Sequence, residues 1–331
     1  MEKKDGTYTL FGSPITRAQS KAVDRWQRMF VKRFNYDPNE TYTLDVRDHP
    51  FAEGMWGLRS IARIDGAMGA TGADRVYEQP VGSVGATGAG GAAGRAAGAA
   101  GGPAGATGAA GTSPIDPTTA VICSTIRMGF GHYRIAMAGA SCAAAMGFTP
   151  LWLDLLGIPG ITQQVINYCN SGYSRFSRIS QRSSFFDKHV WESVTTGEGT
   201  LPILNAFLNW WHVGWPWRFV KTNIKDYKMS ELFRNLHQAM PAETPVLTAH
   251  MWNCMGAVAG GMTNVVDMVF DNWPMAFQLT EGAKHGIQSP SGYYGFRTKR
   301  GFDDKGRLLS PVPSDAVYMV GHHVDHELVH N

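Results

Sequence analysis

The second half of the chain is punctuated by short apolar, largely β-branched runs, each closing on glycine or polar turn residues. Ala120-Val-Ile-Cys-Ser-Thr-Ile126 is the first, and it ends at Met128-Gly-Phe-Gly-His-Tyr-Arg134. Small and apolar residues from Ile135 to Met146 then read as a close-packed helix, so this stretch predicts strand, glycine turn, helix. Runs from Thr149 to Leu155, Val246 to Ala249, Val265 to Phe270 and His285 to Ser289 suit further strands. Strands separated by helical stretches predict an α/β, Rossmann-like fold: a mostly parallel sheet with flanking helices.

Upstream the pattern differs. Ala22, Trp26, Met29, Phe30 and Phe34 recur at helical spacing among Lys and Arg, and Asn35-Tyr-Asp-Pro-Asn39 has turn chemistry, so an amphipathic helix is expected between Thr16 and Phe34. From Gly66 to Gly111 the sequence collapses to Gly and Ala. Gly85, Gly88, Gly91 and Gly94 keep a period of three, which breaks at Ala97 and resumes from Gly102. A collagen-like triple helix would need more than Pro103, the single proline between Gly85 and Gly111, so a linker is the better reading. The expected organisation is a helix-bearing extension over 1–64, a Gly/Ala-rich linker over 65–116 and a Rossmann-like domain over 117–331.

Composition narrows the partners. At 331 residues and 44% hydrophobic the chain can bury a core, and its +3 charge comes from 30 basic and 27 acidic side chains without a clustered Lys/Arg stripe. That argues against nucleic acid. Cys123, Cys142, Cys169 and Cys254 form no C-x-x-C pair, and three have apolar or small neighbours, which fits reduced thiols. No apolar run follows the polar N-terminus, and Pro150, Asp154 and Pro159 interrupt the least polar stretch, Ile135 to Ile161, so neither a secretory signal nor a membrane span is expected. A cytoplasmic protein is the expectation.

Gly129-Phe-Gly-His132-Tyr-Arg134 falls where an open α/β sheet places its ligand, between a strand end and the next helix N-terminus. Glycines there permit close backbone approach, and free amides favour a phosphate. The next glycine is Gly139, so the G-x-G-x-x-G spacing of dinucleotide sites is absent. His132 can take a proton from a hydroxyl near neutral pH, face a phosphate when charged, or merely cap the helix.

A strand followed by a glycine-rich loop with Gly131-His132 and Arg134 resembles the first loop of GT-B-fold glycosyltransferases acting on lipid acceptors, such as the monogalactosyldiacylglycerol synthases and the N-acetylglucosaminyltransferase of the peptidoglycan lipid precursor. Thr248-Ala-His250, Val265 to Asp271, and Gly286-Ile-Gln-Ser289 follow in the order expected of the N-terminal, acceptor-side half, and the segment from Gly321 resembles its exit toward a second domain. The resemblance implies His132 and Asp271 as catalytic residues. It implies Gly129, Phe130, Gly131, Arg134, His250 and Ser289 as substrate-binding residues. It also implies a lipid or lipid-linked acceptor, a nucleotide-sugar donor with no other cofactor, and a separate donor-binding domain or partner. Two departures are evident: Gly-Phe-Gly replaces consecutive glycines, and no stretch matches the donor-binding half.

Three alternatives stand beside this. Phe207, Trp210, Trp211, Trp215, Trp217 and Phe219 end at Arg218 and Lys221, a composition that suits either a membrane surface, making the protein peripheral at the inner face, or an aromatic core. His326-Glu327-Leu-Val-His330 is a literal H-E-x-x-H, whose histidines on a helix would share one face and suit a zinc hydrolase. A non-catalytic domain that binds a lipid-linked or glycosylated ligand for a separate partner is the third.

Overall fold

The computed structural model describes residues 3–4, 7–10, 13–15, 28, 32–34, 36–37, 39–49, 57–64, 114–127, 130–188, 225–271, 278–299, 313–324, 326 and 329. Three short strands, β1 (Lys3–Lys4), β2 (Thr7–Leu10) and β3 (Ser13–Ile15), pair antiparallel as a small sheet of their own. Most of the expected N-terminal helix lies outside the described residues; 32–34 are helical.

The main sheet takes its parallel core from the runs that the apolar pattern marked. β6 (Ala120–Thr125) is buried at every position and leads to α1 (Phe130–Ala145), then β7 (Thr149–Asp154) and α2 (Ile161–Arg182). The chain returns through α3 (Lys225–Gln238), β8 (Val246–Thr248), α4 (Met251–Ala259), β9 (Val265–Val269), β10 (Lys284–Ile287), α5 (Pro290–Lys299) and β11 (Val317–Met319). β6 is buried throughout, and apolar from Ala120 to Cys123, because both its faces are covered. Val121 and Cys123 pack under Ile135, Ala136 and Ala140 of α1, while Ala120 and Ile122 pack on the opposite face with Val165, Leu232, Phe233 and Cys254 from α2, α3 and α4.

The large sheet extends across the expected boundary at 117. Two strands from before the Gly/Ala-rich segment, β4 (Leu44–Asp48) and β5 (Arg59–Arg63), belong to this same eight-stranded sheet, in the order β4-β5-β7-β6-β8-β9-β10-β11. β5 runs parallel to β7, pairing Arg59 with Leu151 and Ser60 with Trp152, and β4 is antiparallel to β5. Leu44, Val46 and Ile61 are buried in the same core as Leu151 and Leu153. Ile115, inside the expected linker, is also buried there. β4 and β5 therefore form one edge of the sheet, with β5 paired to β7 and the apolar side chains of both strands in its core.

One feature of the strand order positions everything that follows. From β6 the chain steps to β7 on one side, whereas from β8 it steps to β9 on the other, so neighbouring β6 and β8 send their helices α1 and α4 to opposite faces. A crevice must open between their carboxyl ends, the place where open α/β sheets take ligands.

Candidate functional site

His132 and His250 stand at that crevice. His132 lies in the first turn of α1 and is 9% exposed; His250 follows β8, caps the N-terminus of α4 and is 5% exposed. Their ring centroids are 4.8 Å apart in an edge-to-face arrangement, and Phe270, just past β9, sits 4.2 Å from His132 on another edge. Trp252 approaches His250 at 5.1 Å. Three strand ends thus contribute to one aromatic-walled pair of imidazoles.

Backbone partners fix the two tautomers. His132 Nδ1 lies 2.8 Å from the carbonyl oxygen of Ala249, so it carries the hydrogen and donates, leaving Nε2 as a lone-pair acceptor. His250 Nδ1 accepts the backbone N–H of Trp252 at 3.1 Å, so its hydrogen resides on Nε2, a donor. The adjacent rings therefore present one proton acceptor and one proton donor. Burial holds the pKa of His132 below the usual range, with the Ala249 bond opposing, and holds that of His250 well below it, aided by the neighbouring His132. Both rings are neutral at physiological pH.

The strand ends are tied together beneath the pair. Asn253 in the first turn of α4 donates from Nδ2 to Ser124 Oγ at 2.5 Å and to the Thr125 carbonyl at 3.0 Å, both on β6. On the β7 side, Arg127 donates from Nε to the buried carboxylate of Asp154 at 2.5 Å, and Asn170 of α2 donates to the Arg127 carbonyl at 2.6 Å, holding the turn that leads to α1. Burial raises the Asp154 pKa, with the guanidinium pulling the other way.

The remaining expected site residues are distributed unevenly. Asp271 lies next to Phe270; its Oδ2 accepts Nε2–H of Gln278 at 2.7 Å, and burial raises its pKa. Gln288 donates to the Phe270 carbonyl at 2.9 Å, linking β10 to that loop. Ser289 Oγ accepts the Gly292 N–H at 3.1 Å at the start of α5. Arg134 is exposed on α1. Gly131 is helical with open space where a Cβ would stand, so it is not needed to relieve a protein clash. Gly129, the Phe130 side chain and the Trp-rich segment 201–220 lie outside the described residues.

Sequence reasoning missed Asn253, Phe270 and Asp267. The last is an acid within the apolar run Val265-Val-Asp-Met-Val269, and that misfit was its only signal. Cys123 and Cys254 are buried free thiols, whereas Cys142 is exposed on α1. Among the described residues no group of three or more His, Cys, Asp or Glu side chains is placed to hold a metal ion, and no helix is long and apolar enough to cross a membrane. His326 donates its backbone N–H to Ser141 Oγ at 2.9 Å, while Glu327 and His330 of the H-E-x-x-H lie outside the described residues.

The family described as domain of unknown function (DUF6937) matches residues 9–298, and the chain belongs to that family. The matched stretch runs through the Gly/Ala-rich segment and includes every strand of the large sheet except β11. No curated protein and no solved structure gives a match.

Proposed function

We propose that this chain is the acceptor-binding half of a glycosyltransferase of the GT-B type, working with a donor-binding domain outside these residues, and that His132 is its base. The observation that carries the proposal is the complementary imidazole pair at the switch of strand order. A hydroxyl placed between the rings would donate its proton toward His132 Nε2 while its oxygen accepts the Nε2–H of His250. In the transfer step the acceptor oxygen forms a bond to the anomeric carbon of the sugar. The bond from that carbon to the nucleotide phosphate breaks, with the electron pair leaving on the phosphate, and the hydroxyl proton goes to His132 Nε2.

Neutral rings suit this task, since a protonated His132 has no lone pair to offer. Phe270 and Trp252 limit water around the pair, and Asp271 adds a polar group beside it. The lipid nature of the acceptor rests on the resemblance of the glycine loop, and a peripheral place at the membrane follows from it.

The test is sugar transfer from a panel of nucleotide-sugars to detergent-dispersed lipid acceptors, by the chain alone and with the polypeptide encoded beside it, for wild type and His132→Gln. Turnover that needs the second polypeptide and falls about 100-fold in the variant supports the proposal. Acceptor binding without turnover in any combination would leave a non-catalytic ligand-binding domain, and failure to bind any acceptor would remove both readings.

A further inference from the structure

We infer that Asp267 is a positioning residue for the imidazole pair: through Thr248 it holds the strand end that carries Ala249 and His250, and that hold tightens when the carboxyl ionises. The inference rests on the imidazole pair being the functional site, whatever ligand that pair takes.

The strand register is the starting observation. Ser124 on β6 is aligned with Thr248 on β8, Thr248 with Asp267 on β9, and Asp267 with His285 on β10. Aligned residues of neighbouring strands share a face, so four polar side chains form a row across the centre of the sheet, on the side covered by α4. None is more than 3% exposed. A row of this kind in a core built of Ile, Val and Leu is costly unless its members satisfy one another.

Each member has a partner, and one bond joins two members of the row. Thr248 Oγ1 donates to Asp267 Oδ1 at 2.6 Å, and Asn253 of α4 donates to Ser124 Oγ. Facing Asp267 are Thr248 from β8, the Cys254 thiol from α4, and His285 from β10. His285 is neutral: its Nε2 accepts the Thr280 N–H at 2.9 Å and its Nδ1 donates to the Ala316 carbonyl. Burial, with Asp267 next to it, pushes the Cys254 thiol well up, so that group is uncharged as well. No cation meets Asp267 among the described residues. Burial accordingly raises its carboxyl to about 7, with the Thr248 hydroxyl opposing.

Above that pH the carboxylate needs donors that a single hydroxyl cannot supply. Any movement of Thr248 that meets this need is transmitted to the next two residues. Ala249 supplies the carbonyl that fixes His132, and His250 is the second ring. One proton at Asp267 therefore bears on both imidazoles without touching either.

The test follows the ring ¹⁵N and ¹³C signals of His132 and His250 by NMR between pH 5.5 and 8.5 in the full chain without ligand, together with the Asp267 ¹³Cγ signal. Wild type should show an inflection near pH 7 in both rings while their tautomer patterns remain those of neutral imidazole, tracking Asp267 ¹³Cγ. Asp267→Asn, which keeps an oxygen for Thr248, should lose the inflection. Thr248→Val should lose it in the rings while Asp267 ¹³Cγ still titrates. Flat ring signals in wild type across the Asp267 titration, or an inflection that persists in Asp267→Asn, would overturn the inference. Because no sugar or acceptor is present, these outcomes are separate from whether the chain supports transfer.

Discussion

Asp154 and Asp267 are two buried carboxyls on the strands flanking β6 and β8, and they are handled in opposite ways. Asp154, at the end of β7, accepts from the Arg127 guanidinium and from the Leu156 backbone N–H, so a cation and an amide offset the cost of burying its charge. Among the described residues Asp267 has a hydrogen bond from the Thr248 hydroxyl and faces no cation, and it stays protonated up to about neutral pH. The difference teaches that burial alone does not decide the state of an acid; the charge of what it faces does. One side of the crevice is clamped by an ion pair and the other by a hydroxyl-to-carboxyl hydrogen bond whose strength changes with pH.

The largest test of this contrast is pH-dependent stability. Asp267 has a folded pKa raised above its unfolded value, so the folded state holds the extra proton between about pH 4 and 7, and stability drains away as pH rises through that window. Compared with Asp267→Asn, wild type should lose about 4 kcal/mol between pH 4 and 8, read from urea unfolding midpoints at each pH. The variant is needed for reference because buried His237 and His285, both lowered to about 4, act with the opposite sign: their stability is present above the unfolded value and is lost as pH falls. On the ion-pair side, Arg127→Met should cost about 3 kcal/mol at neutral pH by leaving Asp154 without its cation, and the same unfolding assay measures it.

Smaller effects sharpen the comparison. Asn170→Ala removes one bond to the Arg127 carbonyl and should cost about 1 kcal/mol, with faster amide hydrogen exchange in the turn before α1 as its local signature. Gly131→Ala should raise thermal stability slightly, by about 0.5 kcal/mol, since its Cβ meets nothing and the position is helical. A loss of acceptor affinity in that variant would mark the open space as part of the ligand's place.

The sequence made part of this legible. Parallel strands buried on both faces are rich in apolar residues, so β6, β7 and β9 could be placed closely, and the position of His132 after β6 marked the crevice. The edge pair β4 and β5 was harder, although Leu44, Val46 and Ile61 alternate with polar residues, because the Gly/Ala-rich segment separates them from their partner β7 in sequence. His250 could be named, but not its tautomer, which depends on the Trp252 amide. Asp267 illustrates the limit most sharply. An acid in an apolar strand is visible in one dimension, but that its neighbours are Thr248, Cys254 and His285 depends on strand register, which only the folded sheet specifies.

The pairing of β5 with β7 also has a bearing on how this chain tolerates change. Those strands pair although more than eighty residues separate them in sequence, and the entropy of bringing two chain segments together grows only logarithmically with their separation, by about 0.6 kcal/mol for each doubling. Shortening, extending or cutting the chain within residues 65–113 should leave β4 and β5 seated by their own buried side chains and ladder bonds. The seating of β4 and β5 beside β7 thus makes the order of the chain less binding on the sheet than the contacts of its strands.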